Sequence, residues 1–140
     1  MTYVDTSVLA AYYCPEPLSG KADRVLERQG SLAISWLVEV ELVSALARKM
    51  RTREMRPADG RRVLALFQSH LEQGIYTRLG LDQQHFAKAR EWLATFRVSL
   101  QTLDAVHAAV AAIQGCLLLT ADAALAKACA KLGVGARLII

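Results

Sequence analysis

The chain has 140 residues, 54% of them hydrophobic and 21% charged, with a formal net charge of +4. That is enough apolar material for one domain with a substantial core, and it excludes an intrinsically disordered chain. The apolar stretch Ala105 to Leu119 is broken by His107, Gln114 and Gly115, short of the ~18 uninterrupted residues that a membrane span requires.

The N-terminus shows no basic segment followed by an apolar one, so no secretory signal is expected. Tyr3 to Asp5 reads as a first strand and Val8 to Tyr13 as a short helix, ended by Pro15 and Pro17. Ser19 to Arg28 is an amphipathic helix, with Ser19 as candidate N-cap and Gly30 as its stop. Leu32 to Ile34 reads as a second strand. Ser35 looks like the N-cap of a helix from Trp36 to about Arg51, and Pro57 opens the next, which stops at Gly74. Ile75 to Leu79 is a strand, and Asp82 caps a helix to Phe96. Thr102 caps another helix to Gln114, ended by Gly115. Cys116 to Leu119 is an apolar strand, Thr120 opens a helix from Ala121 to Leu132, and Arg137 to Ile140 is a last strand. Strands alternating with helices predict an α/β fold: a single domain over 1–140, its central parallel sheet of about five strands flanked by helices.

Four carboxylates interrupt apolar runs: Asp5 in TYVDTSVL, Glu41 in WLVEVELVSAL, Asp104 in LQTLDAVHAAV and Asp122 in CLLLTADAAL. An unpartnered buried carboxylate costs several kcal/mol or takes up a proton. Four of them gathered around a divalent cation resolve that cost, because hard cations take oxygen ligands. In parallel sheets ligands bind beyond the carboxyl ends of the strands. Asp5, Asp104 and Asp122 are all expected there. Taken singly, each has an ordinary alternative: Asp5 as a helix N-cap, Asp104 and Asp122 as first-turn helix acids, Glu41 as a solvent-facing acid near Arg48. Glu39 and Glu41 are two apart on one helix, so at most one can join a site, and periodicity does not decide between them.

Thr6 and Ser7 can support Asp5 through their hydroxyls. His107, one turn after Asp104, reads as a core or structural residue, and His70 and His85 show no partner. The three cysteines (Cys14, Cys116, Cys129) lack metal-ligand spacing and read as free thiols in a reducing cytosol, with Cys116 and Cys129 in the core. No zinc spacing, GxGxxG, Walker loop or GxSxG elbow is present. The positive charge clusters at Arg48, Lys49, Arg51, Arg53 and Arg56, then Arg61 and Arg62. Such a cluster attracts polyanions, although it can equally solvate the junction of two helices.

VDTSVL at 4–9, ELVSAL at 41–46, LDAVHAAVA at 103–111 and LLTADAALAKACAKLGV at 118–134 resemble, in order and spacing, the motifs of PIN-domain ribonucleases, most closely the VapC-type toxins. The resemblance implies that Asp5, Glu41, Asp104 and Asp122 form the catalytic, metal-binding quartet, which favours Glu41 over Glu39. It implies that Thr6 and Thr120 support the site. It further implies a Mg²⁺- or Mn²⁺-dependent endoribonuclease of a type II toxin–antitoxin pair, cytoplasmic and usually dimeric, inhibited by a cognate VapB-type antitoxin. On that reading a metal-activated water cleaves RNA, and Arg48, Lys49, Arg51 and Arg53 contact its phosphates. One position departs from the pattern: Ala121 stands where the family often has Asn.

Two rivals remain. A non-catalytic PIN-like interaction module would share the fold. Another acidic-site phosphoryl-transfer domain would need either an adjacent pair of acids, which is absent, or a second Asp at the position of Ser7.

Overall fold

The computed structural model describes residues 1–140. In chain order the elements are β1 (Thr2–Val4), α1 (Thr6–Tyr13), α2 (Ser19–Glu27), β2 (Leu32–Ser35), α3 (Trp36–Arg51), α4 (Pro57–Glu72), β3 (Tyr76–Leu79), α5 (Gln83–Ala94), α6 (Thr102–Gln114), β4 (Leu117–Thr120), α7 (Ala123–Leu132) and β5 (Ala136–Leu138). Each expected strand and helix is present. The boundaries move by one or two residues: α1 begins at Thr6 rather than Val8, α5 ends at Ala94 rather than Phe96, and α7 begins at Ala123 rather than Ala121.

The five strands form one parallel sheet in the order β3-β2-β1-β4-β5. The order reverses at β1, which pairs with β2 on one side and β4 on the other. Right-handed crossovers then carry the helices of the two halves to opposite faces. The packing agrees: α1 contacts α2 and α3, and α3 contacts α4, while α6 contacts both α5 and α7. Both faces being covered, the three central strands are mostly apolar, and Tyr3, Val4, Ala33, Ile34, Leu118 and Leu119 are fully buried, while the edge strands β3 and β5 carry Arg78 and Arg137.

Two N-caps differ from the sequence reading, and at Ser35 the cap position holds while the side chain bonds elsewhere. Leu18, not Ser19, is the N-cap of α2. Ser19 Oγ instead accepts from the Glu16 amide and donates to the Cys14 carbonyl. Gln101 rather than Thr102 caps α6. Ser35 occupies the cap position of α3, but its hydroxyl makes no cap bond and pairs with the Tyr3 phenol at 2.8 Å. His70 and His85 have partners after all: His70 Nδ1 lies 2.6 Å from the Tyr13 hydroxyl, and His85 Nδ1 accepts from the Asp82 amide in a capping box. All three cysteines are buried and free, Cys14 included. No helix is long and apolar enough to cross a membrane.

Candidate active site

Asp5 follows β1 directly and Asp122 lies two residues past β4. These are the adjacent strands at which the order reverses, so both acids border the crevice where open parallel sheets bind ligands. The register is fixed by Val4 opposite Leu119 and by the Asp5 amide, which donates to the Leu119 carbonyl at 3.1 Å.

Asp5 is only 4% exposed, and it caps α1 through Val8. The capping role and the site role turn out to be compatible. Ser7 Oγ donates to Oδ1 and Thr120 Oγ1 to Oδ2, each at 2.6 Å. The same two hydroxyls also accept, Ser7 from the Ala121 amide and Thr120 from the Asp122 amide. First and fourth motifs are thus clasped together, and at Ala121 it is the backbone that contributes. Burial pushes the Asp5 carboxyl up, opposed by Ser7, Thr120, His107 and the Val8 amide, with a net upward shift.

Glu41 stands on α3, half-buried. Its Oε1 accepts from Thr6 Oγ1 at 2.8 Å and from His107 Nε2 at 2.5 Å. Burial raises its pKa, but His107 and Thr6 outweigh that and hold it below the usual carboxylate value. Glu39 is turned away and bound by Arg78 in a two-pronged pair at 2.7 and 3.0 Å. This turns Glu39 away from the site, while the bonds from Thr6 and His107 exclude the alternative of Glu41 as a free solvent-facing acid. His107 is 2% exposed and also meets the Tyr3 hydroxyl through Nδ1 at 2.8 Å. Its expected buried, structural character is right as far as it goes, but sequence reasoning missed its place behind Glu41.

Asp104 sits in the first turn of α6, half-buried and without a hydrogen-bond donor. Burial, then the charges of Asp122, Asp5 and Glu41, raise its pKa, against a smaller lowering by His107. Asp122 caps α7, with Oδ1 accepting from the Ala124 and Leu125 amides, which leaves Oδ2 without a donor. Asp104 and Asp122 together line an open groove of about 370 Å³ walled by Val98, Leu100 and Gln101.

The four acids have no lysine or arginine in ion-pair range; His107 on Glu41 is their only basic neighbour. In charge and donor type the set fits a hard divalent cation. No three of the molecule's His, Cys, Asp and Glu side chains converge tightly enough to ligate one ion directly. An ion held here would take one or two carboxylates directly and keep the rest of its shell as water. The oxygens open to it are Glu41 Oε2, Asp122 Oδ2 and both of Asp104. Glu41→Gln is expected to weaken Mn²⁺ binding measured by calorimetry, whereas Glu39→Gln leaves it intact; equal losses would return Glu39 to the site.

Arg48, Lys49, Arg51 and Arg53 lie at the far end of α3 and in the turn beyond it, without carboxylate partners in ion-pair range. Arg48 follows Glu41 by seven residues, so it projects from the same helix face roughly 10 Å further along the axis. Lys49 and Arg53 join Arg56 and Arg62 around a cavity of about 430 Å³, where Asp59 pairs with the latter two.

The PIN domain family model matches residues 2–131, and the chain belongs to the PIN-domain family. Among solved structures it is similar to the Mycobacterium tuberculosis toxin VapC20, described as cleaving the sarcin–ricin loop, at 20% identity over 91% of this chain and 95% of that one, with a TM-score of 0.72. It is similar to FitAcB from Neisseria gonorrhoeae at 20% identity over 97% and 96%, TM-score 0.70. VapBC2 from Rickettsia felis, bound to a promoter DNA fragment, matches at 14% identity over the whole of both chains, TM-score 0.70. No curated protein matches the chain.

Proposed function

We propose that the protein is a Mg²⁺- or Mn²⁺-dependent endoribonuclease toxin of a type II toxin–antitoxin pair, held inactive by a cognate VapB-type antitoxin. The observation that carries this reading is the set Asp5, Glu41, Asp104 and Asp122 at the strand-order reversal of a PIN fold, with no lysine or arginine in ion-pair range to balance it. The structural neighbours support it: VapC20 is described as a sarcin–ricin-loop-cleaving toxin, and a Klebsiella pneumoniae structure as a toxin–antitoxin complex. The working form we infer is a cytoplasmic homodimer, as the family resemblance implies.

Asp5, Glu41, Asp104 and Asp122 would hold a divalent ion, which would lower the pKa of water and neutralise phosphoryl oxygens; hydrolysis of that kind would leave a 5′-phosphate and a 3′-hydroxyl. The chain's own residues orient the donors. Ser7 and Thr120 fix Asp5, while Thr6 and His107 fix Glu41. Asp104 and Asp122 offer free oxygens along the open groove. Arg48, Lys49, Arg51 and Arg53 bind backbone phosphates, so affinity for RNA falls steeply as salt rises.

Purified, antitoxin-free protein incubated with a pool of cellular RNA tests this, in Mn²⁺ or in EDTA, beside Asp104→Asn. Discrete Mn²⁺-dependent cuts with 5′-phosphate ends, absent from the variant, are the expected result. The side chains do not form a closed three-ligand cluster, and this favours the second reading, a non-catalytic interaction module. Neither cleavage nor Mn²⁺ binding would establish the module instead.

A further inference from the structure

Behind Glu41 a chain of hydrogen bonds runs into the core that hydrolysis itself does not use. Ser35 Oγ and the Tyr3 hydroxyl are 2.8 Å apart, the Tyr3 hydroxyl and His107 Nδ1 2.8 Å, and His107 Nε2 and Glu41 Oε1 2.5 Å. Ser35 and Tyr3 are fully buried. An apolar side chain at each position would fill this space without the desolvation that buried polar groups incur. The network has a direction. A carboxylate oxygen only accepts, so His107 Nε2 carries a proton and donates it, whatever the charge of the ring. In the neutral ring Nδ1 then accepts from the Tyr3 hydroxyl, whose oxygen accepts from Ser35. Glu41 Oε1 therefore has two donors, His107 and Thr6, whereas Oε2 has none.

We propose that His107 is a positioning residue that engages Oε1 of Glu41 and thereby presents Oε2 to the bound cation, with Tyr3 and Ser35 fixing the orientation and tautomer of its ring. Neighbours of this kind hold a ligand in one rotamer, and losing one weakens metal affinity by about 10- to 100-fold. The proposal rests on the reading of Glu41 as a cation ligand and adds the residue that aims it.

Calorimetric titration of the metal-free protein with Mn²⁺ tests it, on wild type, His107→Leu, His107→Gln and Tyr3→Phe. Gln retains an N–H donor near the Nε2 position; Leu does not. The expected result is Mn²⁺ affinity reduced about 10- to 100-fold in His107→Leu and largely restored in His107→Gln. Thermal melts should show both variants destabilised, since a packing role alone would lower the two melting temperatures without separating their affinities. Tyr3→Phe keeps the ring packing and covers the case in which His107→Leu does not fold. It should weaken Mn²⁺ binding by a smaller factor and alter the imidazole nitrogen shifts of His107, which in wild type report a protonated Nε2. Equal Mn²⁺ affinity in wild type, His107→Leu and Tyr3→Phe would overturn the proposal and leave the nuclease reading standing. Absence of Mn²⁺ binding in wild type would overturn both.

Discussion

Asp104→Asn is expected to stabilise the metal-free protein while slowing cleavage by at least about 10²-fold. The Asp104 carboxyl receives no hydrogen bond, and burial, then Asp122, Asp5 and Glu41, raise its pKa above the ordinary 3.8. An acid whose pKa rises on folding binds more protons in the folded state between the two values. Stability therefore falls as pH rises through that window, and the penalty is complete above the folded value. Above that value in EDTA the wild type carries all of it. An amide cannot ionise and carries none. Asp104 is half-exposed and solvent screens its neighbours' charges, so the gain is modest, within about 1 kcal/mol and a few degrees in melting temperature. Asp5 is shifted in the same direction, chiefly by burial, so the metal-free wild type should also gain stability on mild acidification, and the Asn variant less.

Mn²⁺ should reverse the order. Binding to the native state alone adds about 2.7 kcal/mol when the ion exceeds its dissociation constant a hundredfold. A variant lacking one carboxylate forfeits much of that, and its cleavage rate should fall by at least about 10²-fold, as when one group that stabilises the transition state is removed. Scanning calorimetry with and without Mn²⁺ reads the crossing directly: Asn above wild type in EDTA, wild type above Asn in metal. Equal Mn²⁺-induced shifts in the two proteins would take Asp104 out of the metal site.

The acids were legible from sequence because a carboxylate inside an apolar run is anomalous wherever it occurs. The alternation of strands and helices then carried Asp5 and Asp122 to one end of the sheet, where the strand order places them together. What local pattern does not hold is the partner of each polar group. Glu39 and Glu41 both neighbour apolar residues at helical spacing, and the residue that separates them, Arg78, is 39 positions away on β3. His107 meets Glu41 across 66 positions and Tyr3 across 104, so a lone histidine on an alanine-rich helix gives no hint of either contact. Ser35 has the composition of a cap, yet Tyr3 claims its hydroxyl. The hydroxyls beside Asp5 and Asp122 were readable as support, but their clasp across the two motifs exists only once β1 and β4 pair.

That clasp makes Thr120→Val the second large expected effect, this time on stability. Valine matches threonine in shape, so packing is preserved while the hydroxyl is lost. Thr120 is fully buried and Asp5 nearly so. Its loss strips Asp5 Oδ2 of its 2.6 Å donor and the Asp122 amide of its acceptor. A hydrogen bond to a charged group contributes about 1.5–3 kcal/mol, and a stranded buried amide adds to the deficit, so roughly 3 kcal/mol and about 10 °C in melting temperature are expected. The pH dependence distinguishes this from a packing defect. Without Thr120 the Asp5 carboxyl rises further, and its protonated form does not need the missing donor. The deficit relative to wild type is therefore full above that pKa and shrinks as pH falls through it. Thr120→Ser restores the hydroxyl without the methyl and should recover most of the loss in the same melts. If Thr120→Val melts with wild type at every pH, the hydroxyl does not sustain the site, and Asp5 is held by Ser7 and the Val8 amide alone.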